Sequence, residues 1–131
     1  MVFIPKTNNE LIKAVDVWCT NKEKAIKEYG EINTWNTINI KSMSYLFYGK
    51  INFNDNISNW NTSKVIKMRY MFYGCESFNQ SLNNWDTKNV EYMDYLFSDC
   101  KEFNQPLNNW DTSNVTHMEN MFYGCEKFNQ D

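Results

Sequence analysis

Apolar residues recur at a fixed interval over most of the chain. Trp35, Trp60, Trp85 and Trp110 lie 25 residues apart, and no insertion interrupts the series. Four further apolar positions follow each Trp at constant offsets, and in the second copy they are Val65, Met68, Met71 and Phe72. Such a period predicts repeats that bury their apolar faces only by stacking. We expect repeats at 35–59, 60–84, 85–109 and 110–131, the last of them incomplete.

Spacing inside a repeat predicts one helix and one strand. Val65, Met68, Met71, Phe72 and Cys75 fall on one face of a helix that begins near Thr62 and ends near Gly74. In the following stretch, 78–82, apolar and polar residues alternate, which is typical of a short strand. The predicted fold is therefore an α/β solenoid, leucine-rich-repeat-like, with four 25-residue helix-plus-strand coils.

The first 30 residues do not follow the repeat. Thr7 to Glu10 and Thr20 to Glu23 resemble capping boxes, and Gly30 fits the position after a helix. We expect helices at about 8–18 and 21–29. These would form an N-terminal helical cap, residues 1–30, on the repeat segment 31–131 within one structural domain.

Composition excludes several classes of protein. The 131 residues carry a net charge of −3, and the one arginine, Arg69, leaves little for bidentate phosphate recognition. We expect no nucleic-acid partner. No apolar run approaches the roughly 18 residues of a membrane span, and the N-terminus lacks the pattern of a secretion signal. The sequence alone therefore predicts no membrane insertion and a cytoplasmic location.

Candidate catalytic and metal-binding residues are sparse. His117 is the one histidine and has no triad, metal-ligand or phosphate-loop context. Cys75, Cys100 and Cys125 share one repeat position, which matches no zinc pattern, so we expect free, buried thiols that pack as small apolar residues. Cys19 is expected to be free as well. The chain is predicted to be no enzyme, with no cofactor and no metal.

Two polar rows accompany the apolar ones. Asn54, Asn79, Asn104 and Asn129 form one asparagine row, and Asn59, Asn84 and Asn109 form another. We expect them to hydrogen-bond along the stack rather than to bind a ligand. Thr37, Thr62, Thr87 and Thr112 form a threonine row, which leaves ice binding as a minor alternative.

Tyrosines are the candidate partner-binding residues. They occupy two repeat positions, Tyr45, Tyr70 and Tyr95 in one and Tyr48, Tyr73 and Tyr123 in the other. On the predicted helix both positions lie far from the apolar face, so six tyrosines would line an exposed side. They would either bind a partner or stack on one another and shield the backbone. The glutamines of the predicted strand are a competing site.

The repeat consensus resembles that of a known family. The stretch 103–125 reads Phe-Asn-Gln-Pro-Leu-Asn-Asn-Trp-Asp-Thr-Ser-Asn-Val-Thr-x-Met-x-x-Met-Phe-x-x-Cys, and it is similar to the repeats of BspA-like surface proteins and mycoplasma-type lipoproteins. The resemblance covers 31–131. It implies a leucine-rich-repeat-like solenoid used for surface display, adhesion or protein interaction, with no family-wide enzymatic activity.

Together these observations predict a non-enzymatic binding module for protein–protein or cell-surface interaction, whose partner is a protein or a glycan. The alternative is a structural protein that self-assembles, for example as a homodimer, through the uncapped C-terminal coil. Its candidate association edge is Phe128, Asn129 and Gln130.

Overall fold

The computed structural model describes residues 1–130. Two α-helices open the chain, α1 (Asn8–Thr20) and α2 (Lys22–Tyr29), and a short 3-10 helix follows at Ile32–Thr34. The two predicted helices are therefore confirmed, within two residues at each end. From residue 35 to residue 130 the backbone consists of turns and irregular segments, joined to one another by hydrogen bonds between repeats.

Side chains at the helix ends explain where the helices begin. The Thr7 hydroxyl accepts a hydrogen bond from the Glu10 N–H at 3.1 Å, as the capping pattern predicts. At α2 the capping residue is Asn21 rather than Thr20, and its side chain accepts from the Lys24 N–H at 3.1 Å. Gly30, with a φ of 80°, ends α2.

The prediction of an α/β solenoid of helix-plus-strand coils is wrong. The described part of the repeats, 35–130, contains no α-helix and no strand; the one strand-like feature is a line of isolated parallel bridges that joins Ser42, Lys67, Tyr92 and His117. The leucine-rich-repeat-like description is wrong for the same reason. What remains is a stack of 25-residue repeats made of turns.

The segment predicted to be helical is a series of turns because its N–H groups alternate between two partners. Leu46 and Tyr48 donate to the carbonyls three residues back, at 3.2 Å each. The residues between them donate to the next repeat instead: Tyr45 to Arg69 at 2.9 Å, for example. An α-helix needs every N–H for its own i−4 carbonyl, so a segment that shares its donors with a neighbour cannot be one.

Left-handed backbone conformations enforce this alternation. Tyr45, Tyr70 and Tyr95 have φ values of 64°, 55° and 58°, and Asn120 in the same repeat position has 52°. Four residues later each repeat has a second such position, occupied by Gly49, Gly74, Asp99 and Gly124. A right-handed helix cannot continue through either position.

The segment predicted to be a strand is a side-chain ladder. The Asn54 side-chain oxygen accepts from the Asn79 N–H at 2.9 Å, and Gln80 Nε2 donates to the Asn54 carbonyl at 3.0 Å. The same contacts join Asn79 to Asn104 and Asn104 to Asn129. The first asparagine row is thus confirmed as structural. In the second row the Asn59 and Asn109 N–H groups donate to Asn33 and Asn83, whose side chains do the bridging.

Aromatic columns run through the core of the stack. The Phe47, Phe72, Phe97 and Phe122 rings lie 5.3, 5.6 and 5.7 Å apart. Beside this column the Trp60 indole N–H donates to the Ile32 carbonyl at 2.8 Å, and Trp85 and Trp110 repeat the contact. The helical cap covers one end of the stack, where the Trp18 and Trp35 rings meet edge to face at 6.0 Å.

Candidate binding surface

Five tyrosine rings form two adjacent stacks, which we call the tyrosine columns. Tyr45, Tyr70 and Tyr95 make the first column, with ring centroids 5.0 and 4.7 Å apart and planes within 8°. Tyr48 and Tyr73 make the second, at 5.0 Å and 9°. The two columns contact each other as well, since the Tyr45 and Tyr48 rings lie 5.6 Å apart. The rings therefore hold one another in fixed positions.

The backbone places the first column on the surface. Each of its tyrosines occupies the left-handed position of its repeat, where a bulky residue is uncommon and an Asn or Gly is the easier fit. The second column lies three residues later, at the N–H donor that closes the turn. Both columns thus follow from turn geometry and not from the helix that the sequence pattern indicated.

The columns are open to solvent, most of all where they begin. The exposed fraction is 54% for Tyr45 and 47% for Tyr48, and Tyr70, Tyr73 and Tyr95 are half-buried. Burial among its neighbours is the main cause that raises the pKa of Tyr70, followed by the adjacent Tyr95. The negative charge of Asp99 is the main cause that raises the pKa of Tyr73. Both hydroxyls therefore remain protonated and able to donate hydrogen bonds at neutral pH.

The fourth repeat ends both columns. Its Asn120 occupies the position of the first column, where Nδ2 donates to the Tyr95 hydroxyl at 3.0 Å. In the second column the third repeat has a buried Ser98, whose hydroxyl donates to the Asn120 carbonyl at 2.6 Å. Tyr123 is consequently separated from Tyr73 and is 68% exposed. Of the six predicted tyrosines, the structure groups five and leaves Tyr123 apart.

A shallow groove of about 420 Å³ borders the second column. Tyr48 and Tyr73 form one side of it, and Glu76, Asp99 and Lys101 supply charges on the other. The Lys101 ammonium pairs with Glu76 at 2.9 Å, which leaves Asp99 as the carboxylate closest in character to a free acceptor in this groove. Aromatic rings beside hydrogen-bonding groups can contact both apolar and polar parts of a partner.

The candidate association edge belongs to the ladders of the stack. The Phe128 ring packs against Phe122 at 4.2 Å, and the Asn129 N–H and Gln130 Nε2 both donate to the Asn104 side-chain oxygen, at 3.0 and 2.9 Å. The exposed apolar surface at this end comes instead from Trp110, Met118 and Phe122, which the sequence pattern treated as ordinary core residues.

The cysteines are free, as predicted, and two are buried. The thiols of Cys75, Cys100 and Cys125 donate to the carbonyls of Phe47, Phe72 and Phe97 at 3.0, 2.9 and 2.8 Å. Burial raises the pKa of Cys75 and of Cys100 well above the ordinary value. Cys19 is exposed by residue area, yet desolvation raises its pKa to about 11.

No group of three or more possible metal ligands occurs among residues 1–130. The imidazole of His117 is exposed and stacks on Tyr92 at 4.7 Å, and Nδ1 lies 2.8 Å from the Thr116 hydroxyl. Across the same residues, neither helix has the length and apolar character to cross a membrane.

The threonine row is buried, so the ice-binding alternative is wrong. Thr37, Thr62 and Thr87 are at most 2% exposed, and their hydroxyls donate to carbonyls of the next repeat, Asn61, Asp86 and Asp111, at 2.8, 2.9 and 3.1 Å. Thr112 alone of the row is exposed. These hydroxyls connect the repeats and present no flat surface to solvent.

These features define a class of protein: a stack of turn-based 25-residue repeats behind a two-helix cap. Residues 13–131 match the family described as "Mycoplasma protein of unknown function, DUF285", and the chain belongs to that family. No curated protein matches the chain, and no solved structure does.

Proposed function

We propose that the protein is a non-enzymatic binding module and that the tyrosine columns are its contact surface for a protein or a glycan. The observation that carries the proposal is the fixed double stack of Tyr45, Tyr48, Tyr70, Tyr73 and Tyr95 on one exposed side. Rigid aromatic rings lose little side-chain entropy on binding, and tyrosine is enriched at interfaces for this reason.

The backbone supports this assignment. A non-glycine residue in a left-handed conformation costs of order 1 kcal/mol, and the cost is lower for Asn than for Tyr. The fourth repeat uses Asn120 at this position, yet three repeats keep a tyrosine there. Ring stacking offsets part of the cost by about 0.5–1.5 kcal/mol per pair. A surface that retains strained aromatic residues is a candidate for recognition.

The resemblance of the repeats to BspA-like surface proteins points the same way, since it implies interaction or adhesion at a cell surface. In this proposal the protein needs no cofactor, and its partner contacts the ring edges and hydroxyls. The groove beside Tyr73 would receive a polar or basic part of that partner near Asp99.

A triple variant tests the proposal with little risk to the fold. Tyr45→Asn, Tyr70→Asn and Tyr95→Asn place in three repeats the residue that the fourth repeat already has at this position. The native chain and the variant are applied to arrayed glycans and arrayed purified proteins. We expect a ligand of the native chain to lose at least about tenfold in affinity, which is the loss of roughly 1.4 kcal/mol.

The matched control replaces three exposed side chains outside the columns, Lys13→Asn, Lys64→Asn and Glu91→Asn. A ligand that binds the native chain, the control and the Tyr variant equally would contradict the assignment of the site. Folding of each protein is checked beforehand by its urea unfolding midpoint.

Self-assembly through the C-terminal edge remains the second candidate, because Trp110 and Met118 expose apolar surface there. Sedimentation velocity over a range of concentrations distinguishes the two candidates. A monomer at all concentrations would exclude assembly, whereas a concentration-dependent dimer with no ligand on either array would favour it.

A further inference from the structure

Hydrogen bonds along one segment of each repeat all run in the same direction. In the first repeat the N–H groups of Met43, Tyr45, Phe47 and Gly49 donate to carbonyls of the second repeat, at 2.7–2.9 Å. The second repeat donates to the third, and the third to the fourth, from the equivalent positions. This segment therefore receives bonds only on its carbonyl side and donates them only on the other.

The fourth repeat ends with its donors unused. The N–H groups of Met118, Asn120, Phe122 and Gly124 have no acceptor within residues 1–130. The carbonyls between them, at residues 117, 119, 121 and 123, all accept from the third repeat. We call this row of four N–H groups the donor edge. Backbone donors of this kind are costly to bury without partners.

An apolar surface adjoins the donor edge. Trp110, Met118 and Phe122 are partly exposed, whereas the equivalent residues of the second and third repeats are buried. Together with Leu107 and Phe128 they surround a hollow of about 280 Å³. Donor edge and apolar surface form one end face, and whatever covers it must supply apolar side chains and carbonyls together.

An ordinary β-strand does not fit the end face. The edge of a strand presents N–H and C=O groups in alternation, so half of its groups would face like groups. A second copy of this chain placed face to face has the same fault, because its own donor edge would lie against this one.

Head-to-tail stacking of complete chains is also excluded. The first repeat does offer carbonyls without donors within residues 1–130, at Ser42, Ser44, Leu46 and Tyr48. The helical cap lies on that side, where Trp18 packs on Trp35 and Asp16 pairs with Lys50 at 2.8 Å. A helix is about 10 Å thick, and backbones that share such hydrogen bonds lie about 4.8 Å apart.

We propose that the end face is a docking site for one further repeat of the same kind, contributed by a polypeptide whose repeat has no helical cap. Such a repeat presents carbonyls two residues apart, as the third repeat does at Tyr92, Asp94, Leu96 and Ser98, and these would accept from the donor edge. Its tryptophan would donate to the Leu107 carbonyl, as Trp110 donates to Leu82.

A peptide with the sequence of residues 85–109 serves as the probe, because it carries the tryptophan and the four carbonyl positions of a complete repeat. It is titrated into the ¹⁵N-labelled full chain, and amide exchange is followed by NMR. We expect saturable shifts at residues 118, 120, 122 and 124. Their exchange should slow about tenfold when the free peptide is at roughly ten times Kd.

Two substitutions of similar exposure separate specific docking from general apolar contact. Met118→Asp would place a carboxylate against the bound repeat and should abolish the shifts, since burying an unpaired charge is costly. Ile51→Asp changes an equally exposed residue elsewhere and should leave them unchanged.

Three results would overturn the proposal. One is the absence of shifts at these amides at about 1 mM peptide, a concentration that detects even a binding energy near −4 kcal/mol. Another is an equal response to a peptide of the same composition in permuted order. The third is a dimer of the chain alone that Met118→Asp dissociates, since the occupant would then be a second copy.

Discussion

Buried hydroxyls connect neighbouring repeats at the scale of single residues. The Thr62 hydroxyl is 2% exposed and donates to the Asp86 carbonyl at 2.9 Å. A methyl group in its place keeps the volume but leaves the carbonyl with no partner. The threonine row therefore contributes to stability through hydrogen bonds that neither apolar periodicity nor composition reveals.

Thr62→Val should lower the free energy of unfolding by about 1–2 kcal/mol, the cost of a buried acceptor left without its donor. Thr112→Val is the matched control, because that residue occupies the same repeat position and is exposed. Urea unfolding of both variants measures the difference. Equal midpoints for the two would contradict the role given to the buried hydroxyl.

Thiol reactivity should follow the raised pKa values. Desolvation holds the pKa of Cys19 at about 11, and only the thiolate reacts with iodoacetamide. The alkylation rate of Cys19 should therefore rise about tenfold per pH unit from pH 8 to 10. It should level off only above about pH 11.

The direction of the shift also sets a pH dependence of stability. A thiol whose pKa is raised by folding stabilises the folded state below the ordinary pKa of 9.0 and loses this contribution as the pH rises toward its folded value. Cys75 and Cys100 should resist alkylation until urea unfolds the chain. Rapid labelling of either in the folded protein would show that the core opens at that position.

At the scale of elements, the sequence identifies the helices of the cap but not the conformation of the repeats. Thr7, Asn21 and Gly30 mark helix ends by local side-chain and backbone chemistry, which sequence shows directly. Spacings of three residues in the repeats fit an α-helix, and they also fit successive turns closed by i→i+3 bonds. Periodicity cannot distinguish the two.

Residues of the repeats do contain one signal of turns. Gly49, Gly74 and Gly124 share a position with Asp99, a set typical of left-handed backbone. Tyr45, Tyr70 and Tyr95 conceal the other left-handed position, because tyrosine is rarely found there. Packing between repeats overrides local preference at that position, so the exposed tyrosines were identified correctly on an incorrect element.

Departures of the first repeat from the consensus explain how the helical cap is attached. Lys50 stands where later repeats have cysteine, and it pairs with Asp16 of α1 at 2.8 Å. Asp55 stands where they have glutamine, and it accepts from the Trp18 indole N–H at 2.9 Å and from Lys22 at 3.2 Å. Both substitutions connect the first repeat to the cap.

Asp55→Ala should weaken this attachment. The Trp18 indole N–H would lose its acceptor, and we expect a loss of about 1–2 kcal/mol together with faster amide exchange in α1. Glu102→Ala removes an exposed ion pair with Lys127 and should cost less than about 0.5 kcal/mol. Unchanged exchange in α1 after Asp55→Ala would show that packing alone holds the cap.

The whole molecule is a nearest-neighbour assembly, so its stability should vary along the stack. Phe72 and Phe97 donate to the next repeat at 3.0 and 2.9 Å, whereas the N–H of Phe122 has no acceptor within residues 1–130. Hydrogen exchange should therefore be slow at the first two amides and at least about tenfold faster at Phe122. Equal protection at all three would indicate that the end of the stack is covered in solution.

The constant offset of the contacts gives the chain a unit of length. Hydrogen bonds between repeats join residues 22 to 28 positions apart, and no repeat contacts the next through residues outside this pattern of neighbours. Loss of residues 60–84 would therefore rejoin matching surfaces, with Trp85 taking the place of Trp60. Loss of 24 residues would misalign every ladder. Recombination can lengthen or shorten such a gene in whole 25-residue steps while the fold is preserved.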